Sequence, residues 1–316
     1  MSRRRTGTRP MAAVGITLGI LALSPNLLRA AVVVTDAAAF AIAIDANDAV
    51  SVDCSGGFVR VFDDGAPTTY TTACAAVTTL AVTATGAFDN TIDLSGVTAA
   101  AFTTMAAAPL PVSIVSGAGV DTLTGSPLND SITGGPGSET QLGGAGTDTF
   151  IWNPGDGSDT LVGGTGTDTM LFNGSAGNEV FATNAQGAGF RFTRDLGNIV
   201  MNATEVEAIT LNALGGDDNV ATVPLAGTSQ NLVGGTQTTA DVLTIDAQGG
   251  CVVPSGPGTV TIAGAQPITF SEFEQVNFTN QCVVAEVPTL GPVALAALAA
   301  FLALAAILLM RSQSSG

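Results

Sequence analysis

The sequence predicts an all-β chain: a parallel β-roll, or β-solenoid, with an N-terminal signal helix before it and a C-terminal transmembrane helix after it. Three observations predict this. A nine-residue alternation of glycine-rich turns and short apolar runs begins at Ser116. Val- and Thr-rich runs separated by turn residues lie on both sides of it. An apolar stretch bordered by arginine stands at each end. The expected segments are 1–30, a signal peptide; 31–115, an N-terminal solenoid segment; 116–181, the repeats; 182–286, a C-terminal solenoid segment; and 287–316, the terminal helix.

Charge comes first. The 316 residues carry a formal net charge of −17, all nine basic residues are Arg, and His is absent. Arg3, Arg4, Arg5, Arg9, Arg29 and Arg311 sit at the ends. Between Asp36 and Glu286, three Arg face 26 acids, a net of −23. Such a surface repels nucleic acid and anionic lipid, so no nucleic-acid partner is expected. It needs cations, either diffuse or bound at defined sites.

Residues 1–30 show four Arg, the apolar stretch Met11 to Leu23, then Ser24-Pro25 and small residues near Ala30-Ala31. That order reads as a secretory signal for the general export route. An uncleaved anchor helix is the alternative.

Residues 31–115 hold strand-like runs such as Ala49-Val50-Ser51-Val52, Phe58-Val59-Arg60-Val61 and Leu80-Ala81-Val82-Thr83, separated by turn signals such as Asp63-Asp64-Gly65. Residues 34–45 are expected to form a short helix, with Ala37 to Ile44 as its apolar part. The stretch Asp89 to Gly96 looks like a worn repeat. Four cysteines in an exported chain make disulfides the expectation. Cys54, Cys74, Cys251 and Cys282 allow three pairings; proximity in sequence favours 54–74 and 251–282.

Read in nines from Ser116, the sixth position is Asp121, Asp130, Glu139, Asp148, Asp159, Asp168 and Asn178. The two residues Trp152-Asn153 and then Phe172 are insertions. The eighth position is Leu123, Ile132, Gln141, Phe150, Leu161, Met170 and Val180. Copies 143–151 and 163–171 match G-G-x-G-x-D-x-U-x in full, where U is a large apolar residue. This resembles the repeats-in-toxin (RTX, hemolysin-type) family of calcium-binding parallel β-rolls, over about 65 residues.

The physics of such a pattern is direct. Six residues make a turn, three make a short strand, and the eighth points inward. Glycine serves where the turn takes positive φ or backbones approach closely. Two nines make one coil, so Asp130, Asp148 and Asp168 stack on one edge, and Asp121, Glu139 and Asp159 on the other. Ca²⁺ prefers six to eight oxygen ligands, and Mg²⁺ gives up its waters reluctantly. The expected cofactor is therefore Ca²⁺, held by these six acids and by carbonyls of the turn glycines Gly143, Gly144, Gly146, Gly155, Gly157, Gly163, Gly164 and Gly166. The edge of Asp130, Asp148 and Asp168 is expected to be the better one. The other is weakened by Glu139, Pro136 and the polar Gln141. The alternative is a solenoid whose Asp residues cap turns without metal.

Residues 182–286 continue with a looser period. Phe190-Arg191-Phe192, Asn198 to Met201 and Val206 to Leu211 read as strands, and Gly215 to Val220 returns to a glycine–aspartate turn. The segment resembles modules that follow such repeats in bacterial surface proteins. Asp217 and Asp218 either hold one further ion or form a solvated turn. Gly234-Gly235 and Asp241-Val242-Leu243 repeat the theme. Arg191 and Arg194 flank Phe192, as a binding patch or as ordinary surface charges. The whole is expected to be one elongated right-handed solenoid from about 45 to 282, with the cysteine loops as caps.

Val293 to Met310 is eighteen apolar residues, long enough to cross a bilayer, and Arg311 follows. Val287-Pro288-Thr289-Leu290 stands just before it. Motif, span and basic residue together resemble the IPTL-type C-terminal sorting signals of Gram-negative bacteria, relatives of the signals read by exosortases. The resemblance implies a membrane protease as processing partner and a final place outside the cell or on its outer surface, after export through the inner membrane. A retained membrane anchor is the alternative.

Much chemistry is excluded. Without His there is no Ser-His-Asp centre and no His-ligated zinc. Without Lys there is no P-loop lysine or Schiff base. No catalytic residues are assigned, and an enzyme is not expected. The leading expectation is an exported calcium-binding structural or adhesion protein, with surface glycans or other cells as partners. A carbohydrate-active solenoid enzyme, which needs only two suitably spaced acids, and a metal-free spacer are the alternatives.

Overall fold

The computed structural model describes residues 32–282. The expected signal peptide and the C-terminal sorting helix lie outside the described residues. Among the described residues, no helix is long and apolar enough to cross a membrane.

The described residues are mostly β, in two large, mostly parallel sheets of twelve and thirteen strands. Short strands fall alternately in one sheet and the other, so a coil lays one strand in each. In the first sheet Ala39–Ile44, Thr79–Ala84, Val112–Val115, Asp130–Thr133, Thr149–Trp152, Thr169–Asn173, Ala208–Asn212, Ser229–Val233 and Ile268–Ser271 lie side by side in parallel. In the second, Thr91–Asp93, Thr122–Thr124, Thr140–Gly146 and Thr160–Gly166 do the same. Successive coils are in the register of the nine-residue period. Ile132 lies beside Phe150, and Phe150 beside Met170 across the two-residue insertion. Leu123, Gln141 and Leu161 form the matching row.

Strand residues alternate between the interior and the outside, as a pleated strand requires. Leu123, Ile132, Phe150, Leu161 and Met170 are all fully buried and belong to one continuous core. Burying each such side chain stabilises the fold by about 1.5–3 kcal/mol. The inserted Trp152 lengthens its strand and stacks on Phe172, with ring centroids 4.0 Å apart. Phe172 in turn meets Phe192 of the second sheet at 4.7 Å, closing the gap between the sheets.

The structure differs from expectation in three places. Residues 39–44 form a strand rather than part of a helix, because Phe40, Ile42 and Ile44 alternate inward with a period of two. The first coil therefore begins near residue 39 instead of 45. The last copy of the repeat is one residue out of frame: Phe181 is buried, whereas Val180 is 47% exposed. Its first glycine is Gly174, placed five residues before the buried Glu179 as Gly143 is placed before Asp148. Finally, Val180–Gln186, Gly189–Arg194 and Ile199–Thr204 form an antiparallel meander inserted in the second sheet. Ile199–Thr204 pairs with Thr160–Gly166, and Val180–Gln186 pairs with Asn219–Thr222, so parallel stacking resumes beyond it.

Antiparallel hairpins also finish the sheets. Phe58–Asp63 and Ala66–Ala73 fold back beside Ala49–Ser55, tied by the Cys54–Cys74 disulfide. Thr259–Ile262 and Val252–Gly256 fold back beside Ile268–Ser271, near the Cys251–Cys282 disulfide. Both pairings are those favoured by sequence proximity.

The twelve strands of the first sheet contain one charged residue, Asp130, and it is buried. Their outward positions are small or uncharged: Ala41, Ala81, Ser113, Ser131, Thr149, Thr169, Ala208 and Ser229 form one continuous row across the sheet.

Candidate cation-binding rows

The acids of the repeat stand at the end of each turn, one residue before its strand or, for Asp130, as the strand's first residue. They point inward, and Asp121, Asp130, Glu139, Asp148, Asp159 and Asp168 are all buried, at 4% exposure or less. The two edges hold the sets that the spacing predicts.

On the first-sheet edge, consecutive coils are joined through these carboxylates. Asp130 N donates to Asp148 Oδ1 at 2.9 Å, Asp148 N to Asp168 Oδ1 at 2.8 Å, and Asp168 N to Glu207 Oε2 at 2.8 Å. The row starts at Ser126, whose backbone amide donates to Asp130 Oδ2 at 2.7 Å and whose hydroxyl donates to Asp130 Oδ1 at 2.9 Å. Asp148 Oδ2 and Asp168 Oδ2 are buried and meet no donor.

On the second-sheet edge, Asn90 N donates to Asp121 Oδ1 at 2.6 Å and Glu139 N to Asp159 Oδ1 at 2.9 Å. Gln141, the polar residue in the inner row, donates from Nε2 to Asp159 Oδ2 at 2.9 Å. Asp121 Oδ2 and both Glu139 oxygens are left without a donor. The worn repeat at 89–96 supplies Asn90 in an acid's position and the buried Ile92 in the core row.

Beyond the meander the same edge continues. Glu179 N donates to Asp218 Oδ1 at 2.8 Å, Asp218 N to Asp241 Oδ1 at 2.7 Å, and Asp241 N to Glu274 Oε2 at 2.8 Å. Ser175 opens this stretch as Ser126 opens the other, its amide 2.7 Å from Glu179 Oε2. Asp218 is thus a buried row member, while Asp217 is half-buried and accepts from Thr238 N and Thr239 N.

The arginines beside Phe192 both line one groove beside the meander but differ in burial. Phe190, Phe192 and Arg194 point inward and Arg191 outward, as a strand's alternation demands. Arg194, 8% exposed, is ion-paired with Glu179, donates to Leu196 O at 3.1 Å and lies 5.1 Å from the Trp152 ring centroid.

The turn glycines face carboxylate oxygens, and those opposite Gly143, Gly163 and Gly234 are ones left without a donor. A Cβ on Gly143 would lie 2.4 Å from Asp148 Oδ2 and 2.6 Å from Gly163 O of the next coil. On Gly163 it would lie 2.6 Å from Asp168 Oδ2 and 1.7 Å from Glu205 O. Gly125, Gly174 and Gly234 repeat this pairing of a carboxylate oxygen with a next-coil carbonyl. Gly144 lies opposite Gly164, and Gly146 opposite Gly166, in parallel register. Gly166 must be glycine: its φ is +145°, and a Cβ would come 1.6 Å from Gly146 O. Gly155 and Gly157 sit in the turn above 135–137, with Gly157 N donating to Gly135 O at 2.9 Å.

Electrostatics follow from burial. Loss of water pushes Asp130 up to about 8, aided by Asp148 and opposed by the Ser126 hydrogen bond. It pushes Asp148 to about 7, with Asp168 adding repulsion. Glu139, buried beside Asp159, is pushed up to about 10, and Asp218 to about 7. Burial also raises Asp121, Asp159, Asp168 and Asp241. The list of buried acids is Asp48, Asp121, Asp130, Glu139, Asp148, Asp159, Asp168, Glu179, Asp218 and Asp241, and the only buried base among the described residues is Arg194. A set of buried carboxylates with so little positive charge must take up protons or cations. The donor set here is carboxylate and carbonyl oxygen, which fits a hard cation such as Ca²⁺.

Elsewhere, carboxylate oxygens of Asp48, Asp63 and Asp64 lie within 4.8 Å of one another at the first hairpin. A groove of about 390 Å³ beside the meander is lined by residues that include Val180, Arg191, Thr193, Arg194, Asp195 and Asn198. Its one acid, Asp195, already accepts from Val180 N and Leu196 N.

Sequence reasoning did not place Glu179, Glu207 or Glu274 in the rows. Each precedes an alternating strand, but none follows a complete glycine turn. In comparison with known proteins, the chain matches no family model, no curated protein and no solved structure.

Proposed function

We propose that this protein is an exported, calcium-stabilised β-solenoid with a structural or adhesive role at the cell surface or outside the cell, and not an enzyme. One observation carries the reading. Buried carboxylate oxygens without a donor recur on both edges, at Asp148 and Asp168 on one and at Asp121, Glu139, Asp218 and Asp241 on the other, and those of Glu139, Asp148, Asp168 and Asp241 face a turn glycine. In the absence of metal these oxygens repel one another across neighbouring coils. A divalent cation between coils would neutralise them and tie each turn to the next, so that metal affinity becomes folding free energy. Where calcium is scarce, as before export, the charge opposes compaction. Where it is abundant, the roll locks.

The two disulfides support an oxidising destination. The signal-like N-terminus, the terminal sorting motif and a processing membrane protease complete the export reading. Affinity for calcium is expected to be weak, about 10⁻⁴ to 10⁻³ M, as in extracellular modules. Surface glycans or other cells are the partners that fit such a place.

The test is a thermal melt followed by circular dichroism, in chelator, in millimolar Ca²⁺ and in Mg²⁺. The reading expects a calcium-specific rise in melting temperature that Asp148→Ala with Asp168→Ala abolishes. An unchanged melt in chelator would remove calcium from the mechanism and leave the metal-free spacer.

A further inference from the structure

We infer that the acid row beyond the meander holds a second, separate divalent-cation site, formed by Asp218 and Asp241, and that Arg194 replaces such a cation at Glu179. This rests on the calcium reading above but concerns residues that lack the nine-residue pattern.

Asp218 and Asp241 are both 0% exposed, and in each one oxygen accepts a backbone amide of the preceding coil while Oδ2 meets no donor. The other acids nearby are accounted for. Asp217 is held by Thr238 and Thr239, and Glu274 accepts from Asp241 N and from the Gln237 side chain. Gly234 repeats the cradle seen at Gly143: a Cβ there would lie 3.0 Å from Asp241 Oδ2 and 2.1 Å from Glu272 O of the next coil. The same two kinds of oxygen therefore meet here, although Asp241 follows its glycine by seven residues rather than five.

Glu179 shows what the row requires. It begins the same row, and the chain supplies it with a cation of its own, the buried guanidinium of Arg194. The described residues hold only two other basic side chains, Arg60 and Arg191. Arg60 pairs with Asp53, and Arg191 points outward from its strand. Asp218 and Asp241 thus lack any cation from the protein itself. The all-oxygen surroundings suit a hard divalent cation, and Ca²⁺ exchanges its waters for such ligands more readily than Mg²⁺.

The experiment is calcium stoichiometry by isothermal titration on the whole protein, on Asp218→Asn/Asp241→Asn and on Asp148→Asn/Asp168→Asn. Asparagine keeps the oxygen that accepts the amide, so the ladder is preserved. The expected result is one fewer bound ion in the 218/241 variant, with that ion retained in the 148/168 variant. Loss in the 148/168 variant alone would overturn the inference and leave the calcium reading standing. Loss in the 218/241 variant alone would uphold the inference and sink calcium at the repeats. If no calcium binds to the unaltered protein, both fail. Amide shifts in the ¹⁵N-labelled unaltered protein give a check free of folding defects. Glu179 N and Asp218 N, which donate to the two carboxylates, should shift as calcium is added; constancy there overturns the inference.

Discussion

The backbone amide of Asp148 donates to Oδ1 of Asp168, one coil further on, at 2.8 Å. One oxygen of Asp168 therefore serves the fold whether or not metal is present, while Oδ2 has no donor. The two roles separate by substitution. Asp168→Ala orphans a buried amide and should cost about 1–3 kcal/mol in chelator. Asp168→Asn keeps the acceptor and removes a buried charge, so in chelator it should match or exceed the unaltered protein. In saturating Ca²⁺ the order should reverse, with Asn the less stable. Urea denaturation with and without calcium measures all three.

The raised carboxyls fix the direction of the pH dependence. Their ordinary value is 3.8, against about 8 for Asp130 and about 7 for Asp148 and Asp218 in the fold. Below the ordinary value both folded and unfolded chains are protonated, and these groups cost nothing. Between the two values the folded chain holds protons that the unfolded chain has lost, so stability falls as pH rises. Metal-free protein should therefore melt highest near pH 4 and lose stability up to about pH 8. The gain from added Ca²⁺ should grow over the same range, because the metal needs the ionised form. Melts across that range, with and without calcium, test it; a metal-free melting temperature that climbs towards neutral pH would contradict it.

Trp152 is the chain's only tryptophan, stacked on Phe172 and lying beside Arg194 in the middle of the core. Trp152→Ala should destabilise by about 3–5 kcal/mol. In the unaltered protein its fluorescence should report the same transition as circular dichroism. Separate midpoints would mean that the coils unfold in more than one step.

Two turn glycines with positive φ should respond differently to a methyl group. Gly155 has φ +110° with open space around the Cβ position, so Gly155→Ala pays only for backbone strain, about 1–3 kcal/mol. Gly166→Ala would add a collision with Gly146 O and should cost more. Equal losses in chemical denaturation would contradict the close stacking of these two turns.

The disulfides span 20 and 31 residues. Loops of that size stabilise by about 3 kcal/mol each when closed. Reduction should lower the melting temperature, and Cys54→Ser with Cys74→Ser should account for about half of the drop.

The nine-residue period made the central coils legible, because turn and strand repeat there without interruption. It gave the inward row from Leu123 to Met170, the two acid edges and the register across the Trp152-Asn153 insertion. The alternation of Phe40, Ile42 and Ile44 was also visible, but the alanines between them read as helix. The frame at Glu179 was hidden because Phe172 and Asn173 offer no punctuation before Gly174. Glu207 and Glu274 have no local signature at all. They join the rows because neighbouring coils bring an amide to them, and that contact spans 39 residues for Asp168 and Glu207 and 33 for Asp241 and Glu274. Arg194 reads in sequence as one more surface base; the meander turns it inward onto Glu179.

The outward row of the first sheet, from Ala41 to Ser229, has a bearing on how the molecule meets others. Much of its acidity is folded inside, so a neighbour approaching that face encounters methyls and hydroxyls rather than the field that a formal charge of −17 suggests. Dissolved salt has little to screen along that face. On the calcium reading proposed above, the interior, with carboxylates recurring from turn to turn, is where divalent cations act.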